Sequence, residues 1–174
     1  MLTNKTILIT GANGGLGMAL VKEALALNAK KIHACVRNVK NASALEALDP
    51  RVEVHNLTIT ASDSVENLAP SINEIDILIN NAGVNSEKRV LEPCKSDFET
   101  NVFGTLKMCR AFENKIAKHG AIINVTSILA LVNLPIMGLY SASKSALHSI
   151  TQALRAEFAL KNIDVYEVFP GPMD

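Results

Sequence analysis

The sequence has 174 residues, of which 48% are hydrophobic and 20% are charged, a composition typical of a globular domain. Lysine and arginine total 17, as do aspartate and glutamate, so the net charge is zero. This balance gives no electrostatic case for a nucleic-acid or acidic-membrane partner. The N-terminus has no signal-peptide layout and the apolar runs are too short to span a bilayer, so we expect a cytoplasmic protein.

Short β-rich apolar runs alternate along the chain with segments of helical periodicity. The predicted strands cover 6–10, 31–36, 52–57, 75–80, 121–125 and 163–169. The predicted helices cover 16–27, 42–48, 62–68, 95–118 and 138–160. Nearly continuous apolar strands separated by helices are typical of a parallel sheet covered on both faces. We therefore predict an α/β fold, a Rossmann-type doubly wound parallel sheet, in one domain over residues 1–174.

A glycine-rich turn joins the first predicted strand to the first predicted helix. It reads Thr10-Gly11-Ala12-Asn13-Gly14-Gly15-Leu16-Gly17. Glycines allow a tight turn and let the backbone approach a pyrophosphate, which then lies at the positive end of the helix. The spacing that fits is Gly11-x-x-x-Gly15-x-Gly17, and no Gly-Lys-Ser/Thr follows, which excludes a P-loop. The turn predicts a dinucleotide site, with a purely structural turn as the alternative.

The end of the second strand bears on the choice of nicotinamide cofactor. An acidic residue there would bind the ribose 2′-hydroxyl of NAD(H), whereas an arginine accommodates the 2′-phosphate of NADP(H). The strand ends Cys35-Val36-Arg37 and offers no carboxylate. Arg37 can pair with a phosphate through two hydrogen bonds, so we predict NADP(H), with NADPH preferred over NADH. The alternative is that Arg37 is a solvated surface residue.

Tyr140 and Lys144 are four residues apart at the start of the last predicted helix. This spacing places them on one face of the helix, one turn apart. A phenol has an unperturbed pKa of about 10, and a nearby ammonium favours the phenolate and lowers that pKa. The pair therefore predicts a tyrosine suited to proton transfer, unless the two side chains meet on the surface by chance.

Together these motifs resemble those of the short-chain dehydrogenase/reductase family. The resemblance runs from about Lys5 to the last residue. Asn101, on the long helix predicted over 95–118, matches the fourth catalytic position of that family. The other matching motifs, in chain order, are Thr10-Gly11-x-x-x-Gly15-x-Gly17, Asn80-Asn81-Ala82-Gly83, Ser127 thirteen residues before Tyr140, Tyr140-x-x-x-Lys144, and Pro170-Gly171.

The resemblance implies an NADP(H)-dependent oxidoreductase that interconverts a carbonyl and a secondary alcohol by hydride transfer. In that scheme Tyr140 is the general acid in reduction and the base in oxidation. Lys144 lowers its pKa and binds the nicotinamide ribose, and Ser127 holds the substrate oxygen. Asn101 supports a water that relays protons through Lys144. The alternatives are a strand-end hydroxyl at Ser127 and a link between backbone segments at Asn101.

The resemblance also implies a set of cofactor contacts. Backbone groups after the fourth strand line the adenine–ribose side, and the two residues after the sixth strand border the nicotinamide. Besides Tyr140 and Lys144, the implied cofactor-binding residues are Gly11, Asn13, Gly15, Leu16, Gly17, Arg37, Thr58, Ile59, Asn81, Ala82, Gly83, Pro170 and Gly171.

The sequence departs from the family pattern in two places. The family has an Asp-Val or Asp-Ile pair after the third strand, where this chain has Thr58-Ile59, which offers a hydroxyl but no charge. The family continues past Pro-Gly into a substrate-covering segment, another helix and a seventh strand, whereas this sequence stops at Met173-Asp174. We expect a C-terminally truncated member with the sixth strand at a sheet edge. The alternative function is a non-catalytic nucleotide-binding or structural protein, inactive through truncation.

The sequence also bears on metal binding and on the oligomeric state. The three cysteines form no Cys-x-x-Cys, and the four histidines show no ligand spacing with one another, so we predict no metal.

The helices predicted over 95–118 and 138–160 carry apolar residues on more than one side. A second apolar stripe needs a second partner, so we expect a homodimer or homotetramer packed through these helices; simple burial of both helices is the alternative. The expected ligand is a small-molecule carbonyl or alcohol.

Overall fold

A computed structural model describes residues 2–172, and within that range the chain forms six strands and five α-helices. The strands are β1 (Thr6–Thr10), β2 (Lys31–Val36), β3 (Val52–Asn56), β4 (Ile75–Asn80), β5 (Ile116–Val125) and β6 (Asp164–Val168). The helices are α1 (Gly15–Ala26), α2 (Ser43–Glu46), α3 (Ser62–Leu68), α4 (Thr105–Phe112) and α5 (Gly138–Ala159). A π-helical segment, Phe98–Gly104, leads directly into α4. Met173 and Asp174, at which the predicted truncation falls, lie outside the described residues.

The six strands form one parallel sheet in the order β3-β2-β1-β4-β5-β6. This order confirms the predicted doubly wound α/β fold. The chain moves outward from β1 to β3, then returns to the other side of β1 for β4. At such a switch point the loops after β1 and β4 diverge and leave a crevice at the carboxyl ends of the strands, where proteins of this architecture bind ligands.

Helices cover both faces of the sheet, which explains why the inner strands β1 and β4 are largely apolar. On one face α1 and α2 pack over β1 and β2, with Val21 and Leu45 fully buried. On the other face α3, α4 and α5 bury Leu68, Phe112 and Leu154 against the sheet. Helix α5 of the second face begins at the crevice and positions side chains in it.

The predicted helix over 95–118 is wrong at its C-terminal end. Helix α4 ends at Phe112, and Ile116 already pairs with Ile75 in the sheet. A Cβ on Gly120 would lie 2.5 Å from the Asp76 carbonyl oxygen, so glycine allows β5 to run close beside β4. The apolar pair Ile116-Ala117 fits either a helix or a strand, and pairing with β4 decides in favour of the strand.

The two edge strands are β3 and β6. On β6 the side chains of Tyr166 and Val168 are 54% and 46% exposed, in accordance with the predicted edge position. No helix within residues 2–172 combines the length and the apolar character needed to cross a membrane.

Candidate active site

A cavity of about 470 Å³ lies at the carboxyl ends of the strands around the switch point, and we call it the cleft. Every residue that the sequence predicted for the site lines the cleft except Asn101. The lining residues predicted from the sequence are Gly11, Asn13, Gly15, Leu16, Gly17, Arg37, Thr58, Ile59, Asn81, Ala82, Gly83, Ser127, Tyr140, Lys144, Pro170 and Gly171.

The glycine turn leads from β1 into α1 along one wall of the cleft. Gly11 has φ of 65°, and a Cβ there would lie 2.9 Å from the Cα of Ala82. A Cβ on Gly17 would lie 2.2 Å from the Gly11 carbonyl oxygen, so these two glycines are required by packing within the turn. A Cβ on Gly15 would meet nothing within 4 Å. The turn therefore leaves open space beside the N-terminus of α1, where backbone N–H groups favour an anion.

Thr10 joins the glycine turn to the loop after β4, a contact that the sequence did not predict. Its Oγ1 accepts hydrogen bonds from the backbone N–H groups of Asn81 and Ala82, each at 3.0 Å. The Asn81 side chain donates in return to the carbonyl oxygens of Thr10 at 2.9 Å and Gly11 at 3.2 Å. Two motifs that lie seventy residues apart in the sequence thus form one hydrogen-bonded unit. The only sequence signal was the position of Thr10 directly before Gly11.

The charged residues that line the cleft all have one sign. Arg37 and Lys144 are the charged residues of the lining, and none of the described lining residues is a carboxylate. Arg37 is exposed at the end of β2, and within residues 2–172 no carboxylate forms an ion pair with it. The cleft therefore offers an environment that favours an anionic ligand.

Tyr140 and Lys144 lie in the first two turns of α5, with the Lys144 Nζ 5.7 Å from the centre of the Tyr140 ring. Lys144 is 4% exposed and donates a hydrogen bond of 2.9 Å to the Val125 carbonyl at the end of β5. Because burial disfavours the ammonium, it lowers the pKa of Lys144 to about 8. The helix and the strand end together fix this amine at the base of the cleft.

In this structure the pKa of Tyr140 shifts in the direction opposite to the one predicted from the neighbouring Lys144. Burial of the phenol raises the pKa of Tyr140, and a hydrogen bond with Ser127 opposes that effect. The charge of the buried Asp97 raises the pKa further. Burial raises the pKa because the phenolate would lose its hydration in the cleft. Tyr140 is therefore a protonated hydrogen-bond donor at neutral pH.

Asn101 is fully buried in the π-helical segment behind the cleft rather than on its lining. Its Oδ1 accepts from the backbone N–H of Val84 at 2.8 Å, and its Nδ2 donates to the Val84 carbonyl and to the Ser143 Oγ, both at 2.9 Å. The side chain therefore ties the loop after β4 to helix α5. Such a π segment is frequent at functional sites, where it redirects side chains and backbone carbonyls.

The ends of the later strands are held by contacts that the sequence did not reveal. Thr126 Oγ1 donates to the Val168 carbonyl at 2.8 Å, and Ile128 N–H donates to the Pro170 carbonyl at 3.0 Å. These bonds fix the loop before α5 against the loop after β6, beside Ser127. On the opposite side, the Thr58 N–H donates to Ser64 Oγ at 2.9 Å, so the loop after β3 is tied to α3.

Known proteins are similar to this chain over nearly its whole length. The family model of the short chain dehydrogenases covers residues 5–174. A short-chain dehydrogenase, cctT, of Talaromyces islandicus is 33% identical over 180 residues. The NADPH-dependent 1-acyldihydroxyacetone phosphate reductase of Saccharomyces cerevisiae is 28% identical over 183 residues. Both alignments cover 96% of this chain but 62% and 60% of the relatives, so the chain spans less than two thirds of the length of these curated relatives.

A solved structure agrees with the chain in fold as well as in sequence. A short chain dehydrogenase from Burkholderia cenocepacia, crystallised in complex with NADP, superposes with a TM-score of 0.92 and 40% sequence identity. The superposition covers 100% of this chain and 75% of that protein. Since the sequence match extends from residue 5 onward and the same sheet places the family motifs around one cleft, the chain belongs to the short-chain dehydrogenase family.

Proposed function

We propose that the protein is an NADP(H)-dependent oxidoreductase that interconverts a carbonyl and a secondary alcohol. The observation that carries this proposal is the composition of the cleft, in which Ser127, Tyr140 and Lys144 lie together beside the glycine turn. Two cations and no described carboxylate line the same cavity, as an anionic dinucleotide requires. The expected substrate is a small molecule that enters beside Tyr140 and Ser127.

The residues of the cleft fit the cofactor in kind and in position. The open space at Gly15 and the N-terminus of α1 would take the pyrophosphate, and Arg37 would pair with the 2′-phosphate. The NADP complex of the Burkholderia relative and the NADPH dependence of the yeast reductase support NADPH over NADH. Bound NADPH would supply a hydride to the substrate carbonyl carbon.

The residues of the chain would manage the charge and the proton of that reaction. Negative charge develops on the carbonyl oxygen during reduction, and the hydroxyls of Ser127 and Tyr140 would donate hydrogen bonds to it. Because burial raises the pKa of Tyr140, its proton is present at neutral pH and can pass to the oxygen. Lys144 would bind the nicotinamide ribose, and Asn101 would act from behind by holding Val84 and Ser143 in place.

Replacement of Tyr140 tests the proposal. Tyr140→Phe removes the proton donor but keeps the ring, so we expect kcat for NADPH-dependent carbonyl reduction to fall by about 100-fold or more. NADPH affinity, followed by fluorescence of the bound nucleotide, should change little. Turnover of a panel of aldehydes and ketones equal to that of the wild type would refute the role of Tyr140. NADPH binding without consumption by the wild type would favour a non-catalytic nucleotide-binding protein.

We further propose that the protein forms a homodimer or homotetramer through α4 and α5. Apolar side chains remain at the surface around these helices, including Phe103, which is 59% exposed, and Leu160, which is 88% exposed. A shallow cavity of about 290 Å³ lies between the two helices. These features favour a second copy of the chain as the partner, because a symmetric pair would cover the same patch on both copies.

A further inference from the structure

Two adjacent strands, β2 and β3, bring together three side chains outside the cleft. His33 on β2 pairs in register with Glu53 on β3, and His55 follows two residues later on β3. Residues two apart on a strand point to the same face, so His33, Glu53 and His55 all project from one side of the sheet. None of the three lines the cleft. The three side chains lie close to one edge of the sheet, because β3 is an edge strand and β2 is its neighbour.

The ligating atoms of these side chains converge. The His33 Nδ1 lies 2.8 Å from the His55 Nε2. The Glu53 carboxylate oxygens lie 3.6 Å from the His55 Nε2 and 4.0 Å from the His33 Nδ1. One atom from each residue can be chosen so that all three lie within 4.8 Å of one another. Chain spacing conceals this cluster, since twenty-two residues separate the two histidines and only the strand register joins them.

We propose that His33, Glu53 and His55 bind a divalent transition-metal ion, with Zn²⁺ as the best match. Two imidazole nitrogens and one carboxylate oxygen are ligands that Zn²⁺ accepts, and a water would complete a four-coordinate site. Harder ions such as Mg²⁺ and Ca²⁺ prefer sets made entirely of oxygen, so they fit poorly.

Side-chain adjustments would bring the three ligands around the ion. Metal–ligand distances of 2.0–2.2 Å in a tetrahedral site place neighbouring ligand atoms about 3.3 Å apart. The two histidine nitrogens would separate by about 0.5 Å. The half-exposed Glu53 carboxylate would turn toward both rings, from 3.6 Å at His55 and 4.0 Å at His33. The proton that the two rings now share would move to the outer nitrogen of the donor ring by a change of tautomer, so both inner nitrogens present lone pairs.

The neutral ring of His33 and the exposed carboxylate of Glu53 both favour metal binding. Burial lowers the pKa of His33 to about 4, so its ring is neutral at pH 7, which is the form that binds metal. Glu53 is 49% exposed and opens the cluster to solvent, which gives an ion a path of entry. The competing cation is Lys31, whose Nζ lies 2.5 Å from a Glu53 oxygen. An incoming ion would have to displace this ammonium from the carboxylate.

A metal at this position would fasten the edge strand β3 to β2. The same two strands run on to Arg37 and Thr58, which line the adenosine end of the cleft. The three ligands come from two strands that adjoin only in the folded chain, so the ion binds the native state and stabilises it. The site is thus a structural one, separate from the residues that carry the proposed reaction.

Thermal unfolding of chelator-treated protein tests the site directly. With free Zn²⁺ about 100-fold above its Kd we expect the melting temperature to rise by about 5–10 °C. Mg²⁺ at the same concentration should leave it unchanged. Co²⁺ should add visible d–d absorption without the thiolate charge-transfer band that binding at Cys94 would give. NADPH is absent from these measurements, so failure of the proposed enzyme function would not alter them.

Five variants decide whether the cluster is the binding site. His55→Gln and Glu53→Gln should lose the Zn²⁺-dependent shift, while the matched controls His119→Gln and Cys94→Ser should keep it. Lys31→Met removes the competing ammonium and should tighten Zn²⁺ binding several-fold, a gain that a merely damaged fold would not produce. An undiminished Zn²⁺ shift in His55→Gln, or a wild-type protein that shows neither the shift nor the Co²⁺ spectrum, would overturn the proposal.

Discussion

At the scale of single residues, Arg37 carries the choice between the two nicotinamide cofactors. Its guanidinium is exposed at the rim of the cleft, and within residues 2–172 it has no carboxylate partner that a phosphate would have to displace. Arg37→Asp replaces attraction to a 2′-phosphate by repulsion, so we expect the ratio of NADPH to NADH affinity to fall at least about 10-fold. Titration of both nucleotides against wild type, Arg37→Asp and Arg37→Gln measures that ratio. An unchanged preference in the aspartate variant would refute the assignment.

Lys144 links the site to the pH dependence of stability. Burial lowers its pKa to about 8 from 10.5, so the folded state loses this proton more readily than the unfolded state does. Below about pH 8 both states are protonated and the folded state bears the full penalty. As the pH rises from about 7.5 to about 9.5, release of the proton should add about 2 kcal/mol to the free energy of unfolding.

Urea unfolding of the ligand-free protein at the two pH values measures this effect, with Lys144→Met as the control. The variant lacks the titrating amine and should gain less stability over the same range than the wild type does. Identical gains in both proteins would show that burial does not lower the pKa of Lys144 in the folded state.

Which site residues the sequence could reveal depends on how far their contacts reach along the chain. Tyr140 and Lys144 are predictable because a helix converts a spacing of four into a shared face. Thr10 and Thr126 are different, because their partners Asn81 and Val168 lie in the loop after β4 and on β6, and only the sheet order brings them close. The raised pKa of Tyr140 was also out of reach, since it depends on burial by the assembled cleft.

At the scale of elements, the strands were easier to predict than the helix before β5. All six predicted strands exist; the inner strands β1 and β4 are apolar runs that the sheet buries on both faces, and the edge strands β3 and β6 keep enough apolar positions to be predictable. The helix predicted over 95–118 fails because Ile116 and Ala117 fit two periodicities and β4 supplies the better partner. The π-helical segment Phe98–Gly104 was not predicted, since seven residues are too few to distinguish its period from that of an α-helix.

Asn101 shows what that π segment does. Its amide satisfies both the N–H and the C=O of Val84 and also reaches Ser143 on α5. Asn101→Ala leaves these buried groups without partners, so we expect a loss of about 2–4 kcal/mol in the free energy of unfolding, together with reduced turnover. Ser143→Ala removes only one of these hydrogen bonds and should lose less. Chemical denaturation of both variants, with NADPH-dependent kcat, provides the comparison; equal stability of Asn101→Ala and wild type would contradict it.

At the scale of the whole molecule, the sheet divides the structure into two sides with different tasks. The helices α1 and α2 bury Val21 and Leu45 and complete one half of the core. The helices α4 and α5 bury Phe112 and Leu154 on their inner sides, yet the surface around them keeps exposed apolar groups. The α5 helix thus supplies Tyr140 and Lys144 at its first turns, and exposed apolar residues lie near its far end. Assembly through that surface would hold the helix that carries the proposed catalytic pair.

A substitution on the outer side of α5 tests this proposed assembly. Ala153 is exposed and borders the shallow cavity between α4 and α5, so Ala153→Arg places a long charged side chain in the centre of the expected interface. A specific dimer buries about 1,600 Å² and tolerates an unpaired central charge poorly, so we expect the variant to be monomeric at concentrations where the wild type is a dimer or tetramer. Ala26→Arg makes the same change at an exposed position of α1 on the opposite face and should leave assembly intact.

Light scattering coupled to size exclusion gives the mass of each protein. Equal masses for Ala153→Arg and Ala26→Arg would move the interface away from α5, whereas a monomeric Ala153→Arg that keeps its NADPH affinity would show that each copy contains a complete cleft.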